Sequence, residues 1–173
     1  LGAEGCVAAQ GYVFTSDTDT ESIAHLIEAT LKNEPDLFKA VQAACQRLVG
    51  AYAIAVIDHT QPGKVIVARE GSPLLLGVSD TGNYAASDAS ALLQVTRNMV
   101  YLENGDIAEL TAANVKITRL DGTPVSRPVH ESQLSAAAVE LGNYQHYMQK
   151  EIFEQPEALA NTLEIVGGSK SIQ

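Results

Sequence analysis

The sequence predicts an α+β domain in which helices precede a mostly antiparallel β-sheet. Its 173 residues are enough for one sizeable core, so a single domain is the default expectation. Apolar residues recur at helical spacing between residues 20 and 50. After residue 50 come short apolar segments separated by turn residues, as in a sheet of short strands. A loose polar stretch then leads to a last helical segment, which gives the order helices, sheet and tail.

Two helices are predicted first. Ile23, Leu26, Ile27, Thr30 and Leu31 share one helical face. A second helix starts at Pro35, with Gly50 as its stop signal. Its buried stripe consists of Leu37, Phe38, Val41, Ala44, Cys45 and Leu48. Before these helices we expect a weakly helical segment over residues 1–10 and a short strand over Tyr12–Thr15.

The strands follow from apolar runs between turns. Ala51–Asp58 is a continuous apolar run, which predicts a strand covered on both faces. Ser87 and Asp88 cap a brief helix that contains Leu92 and Leu93. The other predicted strands are Lys64–Ala68, Leu74–Val78, Asn83–Ala86, Met99–Leu102, Ile107–Leu110 and Val115–Arg119, the last three completing a β-meander. Residues 124–142 read as a linker, and Asn143–Leu163 as a helix.

Composition excludes several classes of function. The formal charge of −10 disfavours binding to nucleic acid or to an anionic membrane, because phosphate repels a surplus of carboxylates. The longest apolar run is far shorter than a membrane helix requires. The two cysteines, Cys6 and Cys45, lie in no CxxC or Cys/His cluster. We therefore expect unpaired thiols in a reducing compartment.

The segment TSDTDTE, residues 15–21, concentrates acids and hydroxyls at the start of the first helix. A calcium loop starting at Asp17 would need Gly at its sixth position, which Ser22 occupies, and Glu at its twelfth, which is Glu28. A capping box explains the segment better. In that motif the Thr18 hydroxyl would accept from the Glu21 N–H, and the Glu21 carboxylate from the Thr18 N–H. Asp19 is not needed by the box, so its role stays open between helix dipole and ligand.

Residue chemistry alone assembles no complete active site. The histidines are scattered, and no Ser or Cys with a fitting acid stands near any of them in sequence; they are His25, His59, His130 and His146. Cys45 falls on an apolar helix stripe and is expected to be buried. Cys6 has no base beside it.

Six stretches resemble one enzyme family in order and spacing between Gly11 and Leu163. They are TSDTDTESIAHLI, GAYAIAVID, AREGSPLLLG, AASDASALLQVTR, YLENGDIAEL and HYMQKEIFEQPEAL. Together they resemble the glutamine–fructose-6-phosphate aminotransferases (isomerizing), or glucosamine-6-phosphate synthases. The HYMQKEI-x-EQP segment distinguishes this family from related amidotransferases.

The resemblance implies a four-layer αββα N-terminal-nucleophile hydrolase fold of the class II glutamine amidotransferases, here without its N-terminal part. Residues 1–142 would be the later part of the glutaminase domain, and residues 143–173 the linker and start of a sugar isomerase domain. The implied substrates are L-glutamine and, through the isomerase domain, fructose 6-phosphate. The implied full-length enzyme is a cytoplasmic homo-oligomer that needs no metal or organic cofactor.

Among site residues, the resemblance carries over only Asp19, which matches the family acid that binds the α-ammonium group of glutamine. The family's nucleophile is an N-terminal Cys whose own α-amino group is the base, and Cys6 cannot replace it because its nitrogen is in a peptide bond. We therefore predict no catalytic residue and no glutaminase activity for this chain alone. Two alternatives stay open: a non-catalytic binding or assembly module on the same scaffold, and another class II glutamine amidotransferase.

Overall fold

The computed structural model describes residues 11–133 and 141–168. The chain divides into two compact units, Leu1–Leu134 and Ser135–Gln173. Within the described residues, the first unit holds two helices, one 3₁₀ turn and eight strands, and the second holds one helix. The helix predicted over residues 1–10 lies outside the described residues.

Both predicted helices are confirmed. Helix α1 spans Asp19–Leu31 with Thr18 as its N-cap, and α2 spans Leu37–Cys45 with Asp36 as its N-cap. The Asp36 carboxylate accepts a hydrogen bond from the Lys39 backbone N–H at 3.1 Å, which satisfies one of the free donors of the first turn. The buried stripe of α2 has the predicted members up to Cys45, where the helix ends before Leu48.

In the described residues, eight strands form two sheets of four, and all named strand pairs are antiparallel. The strands are β1 Tyr52–Val56, β2 Lys64–Glu70, β3 Leu75–Ser79, β4 Gly82–Ala86, β5 Asn98–Tyr101, β6 Asp106–Thr111, β7 Val115–Arg119 and β8 Val129–Glu131. The first sheet has the order β1-β2-β6-β7 and the second the order β4-β3-β5-β8. A 3₁₀ turn at Ala89–Leu92, capped by Asp88 as predicted, separates β4 from β5.

The two sheets create three apolar layers. Ile66, Ala68 and Ile107 of the first sheet pack against α1 and α2. The opposite face of the same strands presents Val67, Ala108 and Leu110, which pack against Leu76 and Val100 of the second sheet. The outer face of the second sheet is covered around the 3₁₀ turn, through Leu75, Leu92 and Met99. Because side chains alternate along a strand, β2 and β6 are buried on both faces.

Strand β1 corrects one expectation. Among the described strands it pairs with β2, at the edge of the first sheet, and Tyr52, Ile54 and Val56 face the helical core. Ala53 and Ala55 are exposed in the described chain. The prediction of a strand covered on both faces is therefore wrong for this apolar run.

The predicted meander is also wrong, because β5 and β6 belong to different sheets. The chain crosses between sheets at Glu103–Gly105, where Gly105 has a φ of 78° and Asn104 Oδ1 accepts from the Gly71 N–H at 3.0 Å. A run of strands separated by tight turns in sequence does not reveal this crossing. The short strand expected over Tyr12–Thr15 is irregular instead.

After β7 the chain returns to the second sheet, so the predicted linker begins inside the first unit. Pro124 bridges to Thr118, and β8 then pairs with β5. Between them Arg127 reaches the fully buried Asp106 through two hydrogen bonds, Nε to Oδ2 at 2.8 Å and Nη2 to Oδ1 at 2.9 Å. Arg127 Nη1 also lies 2.8 Å from Glu103 Oε2. This buried ion pair ties the returning segment to the start of β6.

The second unit contains helix α3, Tyr147–Gly168, which confirms a helix in the predicted tail, shifted relative to Asn143–Leu163. Tyr144 stacks on Phe153 with ring centroids 5.8 Å apart. Within residues 11–133 and 141–168, every helix is too short or too polar to span a bilayer.

The buried ion pair predicts a large loss of stability for Arg127→Ala. Removing the guanidinium leaves the Asp106 charge buried without its partner, so we expect the free energy of unfolding to fall by about 3–5 kcal/mol. Urea unfolding of the purified protein measures this. The exposed Arg119 on β7 provides the control, since Arg119→Ala should cost less than about 0.5 kcal/mol. Equal losses in the two variants would contradict the prediction.

Candidate functional site

Asp19 is the first residue of α1 and is exposed. Its backbone is held on the helix side, where the Ser22 hydroxyl donates to the Asp19 carbonyl at 2.6 Å. Ser22 is buried, with 3% of its surface exposed. The N-cap hydroxyl of Thr18 accepts from the Thr20 N–H at 3.3 Å. Asp19 therefore presents a solvent-facing carboxylate from a well-anchored helix start.

The predicted capping box is wrong in its partners. The Glu21 carboxylate does not return to Thr18 but binds the segment before the helix. Oε1 accepts from the Thr15 N–H at 2.8 Å and from the Thr15 hydroxyl at 3.0 Å. Oε2 accepts from the Ser16 N–H at 2.7 Å and also from the Ser16 hydroxyl. Thr18 remains the N-cap, while Glu21 holds the two residues that lead to it.

These donors stabilise the ionised form of Glu21. The hydrogen bonds from Ser16 and Thr15 lower the pKa of the Glu21 carboxyl from 4.5 to about 2. A carboxylate that accepts several backbone and hydroxyl donors keeps its charge because protonation would remove acceptor sites.

An aromatic cluster extends this contact along the helix. His25, one turn after Glu21, has its Nε2 atom 3.4 Å from Glu21 Oε1. The rings of Tyr12 and Phe14 lie 4.9 and 5.0 Å from the His25 ring. Lys32 Nζ lies 4.7 Å from the centre of the Tyr12 ring, on its face. Sequence reasoning missed this cluster, although an i, i+4 Glu–His pair after an aromatic-x-aromatic segment is a visible signal.

An apolar groove of about 400 Å³ runs between α1 and β1. Its helix side is formed by Thr20, Ile23, Ala24 and Ile27, and its strand side by residues 53–57. The groove starts next to Asp19, because Thr20 is its neighbour in the chain. Of the described strands, none pairs with the outer edge of β1.

The other candidates do not join this cluster. Cys45 is buried, and burial raises the pKa of its thiol to about 11, which makes it a poor nucleophile. His59 has 95% of its side chain exposed, beside Asp58. His130 on β8 packs against Tyr101, and His146 precedes α3. Cys6 lies outside the described residues.

Metal binding finds no geometric support in the part of the chain that the structure describes. No group of three or more His, Cys, Asp or Glu side chains is placed there to hold a metal ion. At the start of α1 the Glu21 oxygens are engaged by Thr15 and Ser16 instead.

Comparison with known proteins identifies the family. A family model described as a glutamine amidotransferase domain matches residues 4–94, which is more than half of the chain. The chain belongs to the glutamine amidotransferase domain family. This match contains α1 with Asp19 and Glu21, both edges of the groove and the buried Cys45.

Relatives within the family confirm the predicted resemblance. The glutamine–fructose-6-phosphate aminotransferase (isomerizing) of Acidithiobacillus ferridurans is 58% identical over 90% of this chain and 26% of its own length. That of Vibrio cholerae is 51% identical over 90% of this chain and 25% of its own length. The chain thus spans about a quarter of the length of these relatives.

A solved structure confirms the fold class. The glutamine phosphoribosylpyrophosphate amidotransferase of B. subtilis, complexed with ADP and GMP, matches with a TM-score of 0.58 and 25% identity. The match covers 68% of this chain and 26% of that one. The fold is therefore the class II glutamine amidotransferase fold, with its two stacked antiparallel sheets.

The hydrogen bonds to Glu21 predict a pH-dependent part of the stability. Because the folded-state pKa is lowered to about 2, the unfolded chain binds more protons between the two pKa values. The contribution is complete above the unfolded-state pKa near 4.5 and is lost as pH falls towards about 2. In Glu21→Gln this part should disappear, so the two proteins should differ most above about pH 5 and converge as the pH falls.

Urea unfolding at several acidic pH values measures the difference. Glu28→Gln is the matched control, since Glu28 lies on the same helix and its side chain is 64% exposed. It should keep the wild-type pH dependence. A Glu21→Gln protein with the same slope as the wild type would contradict the assigned hydrogen bonds.

Proposed function

We propose that this chain is part of the glutaminase half of a glutamine–fructose-6-phosphate aminotransferase, a glucosamine-6-phosphate synthase. The observation that carries the proposal is the identity of 58% and 51% to two such enzymes over 90% of the chain. In this reaction glutamine and water give glutamate and ammonia. The ammonia then converts fructose 6-phosphate to glucosamine 6-phosphate in the isomerase half.

Asp19 is proposed to bind the α-ammonium group of glutamine. Its exposure and its anchored backbone support this role. A carboxylate facing an ammonium group forms a charge-assisted hydrogen bond, which distinguishes an amino acid from a simple amide. The neighbouring Glu21 is a poor competitor for the ammonium, since both of its oxygens already accept hydrogen bonds.

The nucleophile is proposed to come from a part of the full-length enzyme other than the described residues. Cys45 is buried with a raised pKa, and Cys6 has no free α-amino group. The apolar groove beside Asp19 and the outer edge of β1 offer a surface for such a part, because a strand edge carries unpaired N–H and C=O groups. On this proposal the chain alone has no glutaminase activity.

The tail is proposed to lead into the second half of the enzyme. We assign residues 1–142 to the glutaminase domain and residues 143–173 to the linker and the start of the isomerase domain. The apolar side chains exposed on α3 support this assignment, since they need a covering surface; they are Tyr147, Met148, Ile152, Phe153 and Leu159. A homo-oligomeric, cytoplasmic enzyme without a cofactor completes the proposal.

A non-catalytic binding or assembly module is the second candidate, favoured by the buried state of Cys45. Assaying the full-length protein for ammonia release and for glucosamine 6-phosphate decides between the two. Release that depends on fructose 6-phosphate supports the aminotransferase. Release without formation of the amino sugar would indicate another amidotransferase, and no release would favour the binding module.

Asp19→Ala tests the ammonium site in the full-length enzyme. Losing a charge-assisted hydrogen bond of about 1.5–3 kcal/mol should lower kcat/KM for glutamine about 10- to 150-fold, mainly through KM. Activity with free ammonia as the nitrogen donor should persist, because that reaction does not use the site for the α-ammonium group of glutamine. Steady-state kinetics with each nitrogen donor measure both effects.

Asp17→Asn is the matched control for Asp19. Asp17 is exposed, two residues earlier, and lies before the helix. Its variant should keep the KM for glutamine within about twofold. If Asp19→Ala changed only thermal stability and left KM unchanged, Asp19 would be a helix-dipole residue and not a ligand.

A further inference from the structure

Two side chains of α1, Glu21 and His25, hold the segment before the helix, whose Tyr12 and Phe14 also pack against the helical core. Glu21 accepts hydrogen bonds from both the backbone and the hydroxyls of Thr15 and Ser16. His25, one turn later, packs its ring against Tyr12 and Phe14. The irregular segment of residues 12–16 is thereby fixed to the helix, although it forms no strand.

This contact lies on the opposite side of the helix start from Asp19. Residues two apart on a helix are rotated by about 200° about its axis and so lie on nearly opposite sides. Glu21 therefore faces the segment, while Asp19 faces solvent. Glu21 therefore has no direct route to a molecule bound at Asp19. Any influence must pass through the backbone between Ser16 and Asp19.

Glu21 accepts four hydrogen bonds from Thr15 and Ser16, in addition to the bond that the Ser22 hydroxyl donates to the Asp19 carbonyl at 2.6 Å. The first turn of a helix lacks partners for its N–H groups and frays easily. The Thr18 cap gives only one long hydrogen bond, 3.3 Å from the Thr20 N–H. Three hydrogen bonds to Glu21 are shorter than this one. The Ser16 N–H donates at 2.7 Å, the Thr15 N–H at 2.8 Å and the Thr15 hydroxyl at 3.0 Å.

We infer that Glu21 is a positioning residue for Asp19: its carboxylate fixes Thr15 and Ser16, and through them the helix start that presents Asp19 to the substrate ammonium. This inference rests on the proposed role of Asp19. Binding groups must be held within a fraction of an ångström, so loosening their support weakens substrate binding without removing a contact. Glu21 thus tunes affinity for glutamine and takes no part in the bond-breaking step.

Glu21→Gln in the full-length enzyme tests the inference. The substituted Gln side chain keeps the shape of Glu21, but its NH₂ group would face the donors of either Thr15 or Ser16. We expect the KM for glutamine to rise about tenfold, with kcat and the ammonia-dependent activity within about twofold. A purely structural role would lower the folded fraction, and hence both activities, without changing this KM. Glu28→Gln is the control and should leave all three values unchanged.

A double-mutant cycle shows whether Glu21 acts through Asp19. If it does, Asp19→Ala combined with Glu21→Gln should have the KM of Asp19→Ala alone, because loosening an absent carboxylate costs nothing. If the double variant instead raised KM by the product of the two separate factors, the inference would be overturned. A raised KM in Asp19→Ala beside an unchanged KM in Glu21→Gln overturns the inference only. If the KM for glutamine is raised in Glu21→Gln but unchanged in Asp19→Ala, both the inference and the ammonium role of Asp19 are overturned.

Ser16→Ala keeps the inference testable if Glu21→Gln does not fold. It removes one hydroxyl donor and leaves the Ser16 backbone N–H on Glu21. Ser16 is exposed, so the substitution opens no cavity. The KM for glutamine should rise about two- to fivefold, and the combination with Asp19→Ala should add nothing. An unchanged KM in the folded Ser16→Ala enzyme would overturn the inference.

Discussion

The burial of β2 and β6 on both faces is the constraint on which the rest of the molecule depends. Each strand gives alternate side chains to two different cores, one under α1 and α2 and one against the second sheet. Neither strand tolerates a shift by one residue, because such a slip would exchange the two faces. The helices and the second sheet are therefore placed by the same few residues, with Ile66 and Val67 as adjacent examples.

This constraint also makes the helix start a suitable place for a binding group. Leu26 and Ile27 fix the middle of α1 in the core, with 1% and 4% of their surfaces exposed. The first turn extends beyond that core, where Asp19 is exposed. Glu21 and His25 lie between the two regions, and their contacts with Thr15 and Tyr12 fix the segment before the helix to the part of α1 that the core holds. A rigid element with a supported end meets the precision that ligand binding requires.

Local patterns in the sequence predict most elements but not their neighbours. Helical spacing identifies α1 and α2, and turn residues delimit the strands, because these signals depend on adjacent residues. The crossing at Glu103–Gly105 between sheets, and the edge position of β1, depend on contacts between distant residues, which no local pattern encodes. At the site, the sequence and the family resemblance single out Asp19 and the helix start. The true partners of Glu21 escape prediction because the capping box and the observed contact use the same residue types within six positions.

The acids at the start of α1 differ in role because they differ in hydrogen bonding. Glu21 has its oxygens filled by Thr15 and Ser16, and the resulting low pKa keeps its charge constant over the range in which enzymes work. Because that charge is engaged by the donors of Thr15 and Ser16, it holds the segment before the helix throughout this pH range. Asp19 keeps its carboxylate exposed at the helix start. One carboxylate therefore supports the helix start, and in the proposed function the other contacts the substrate.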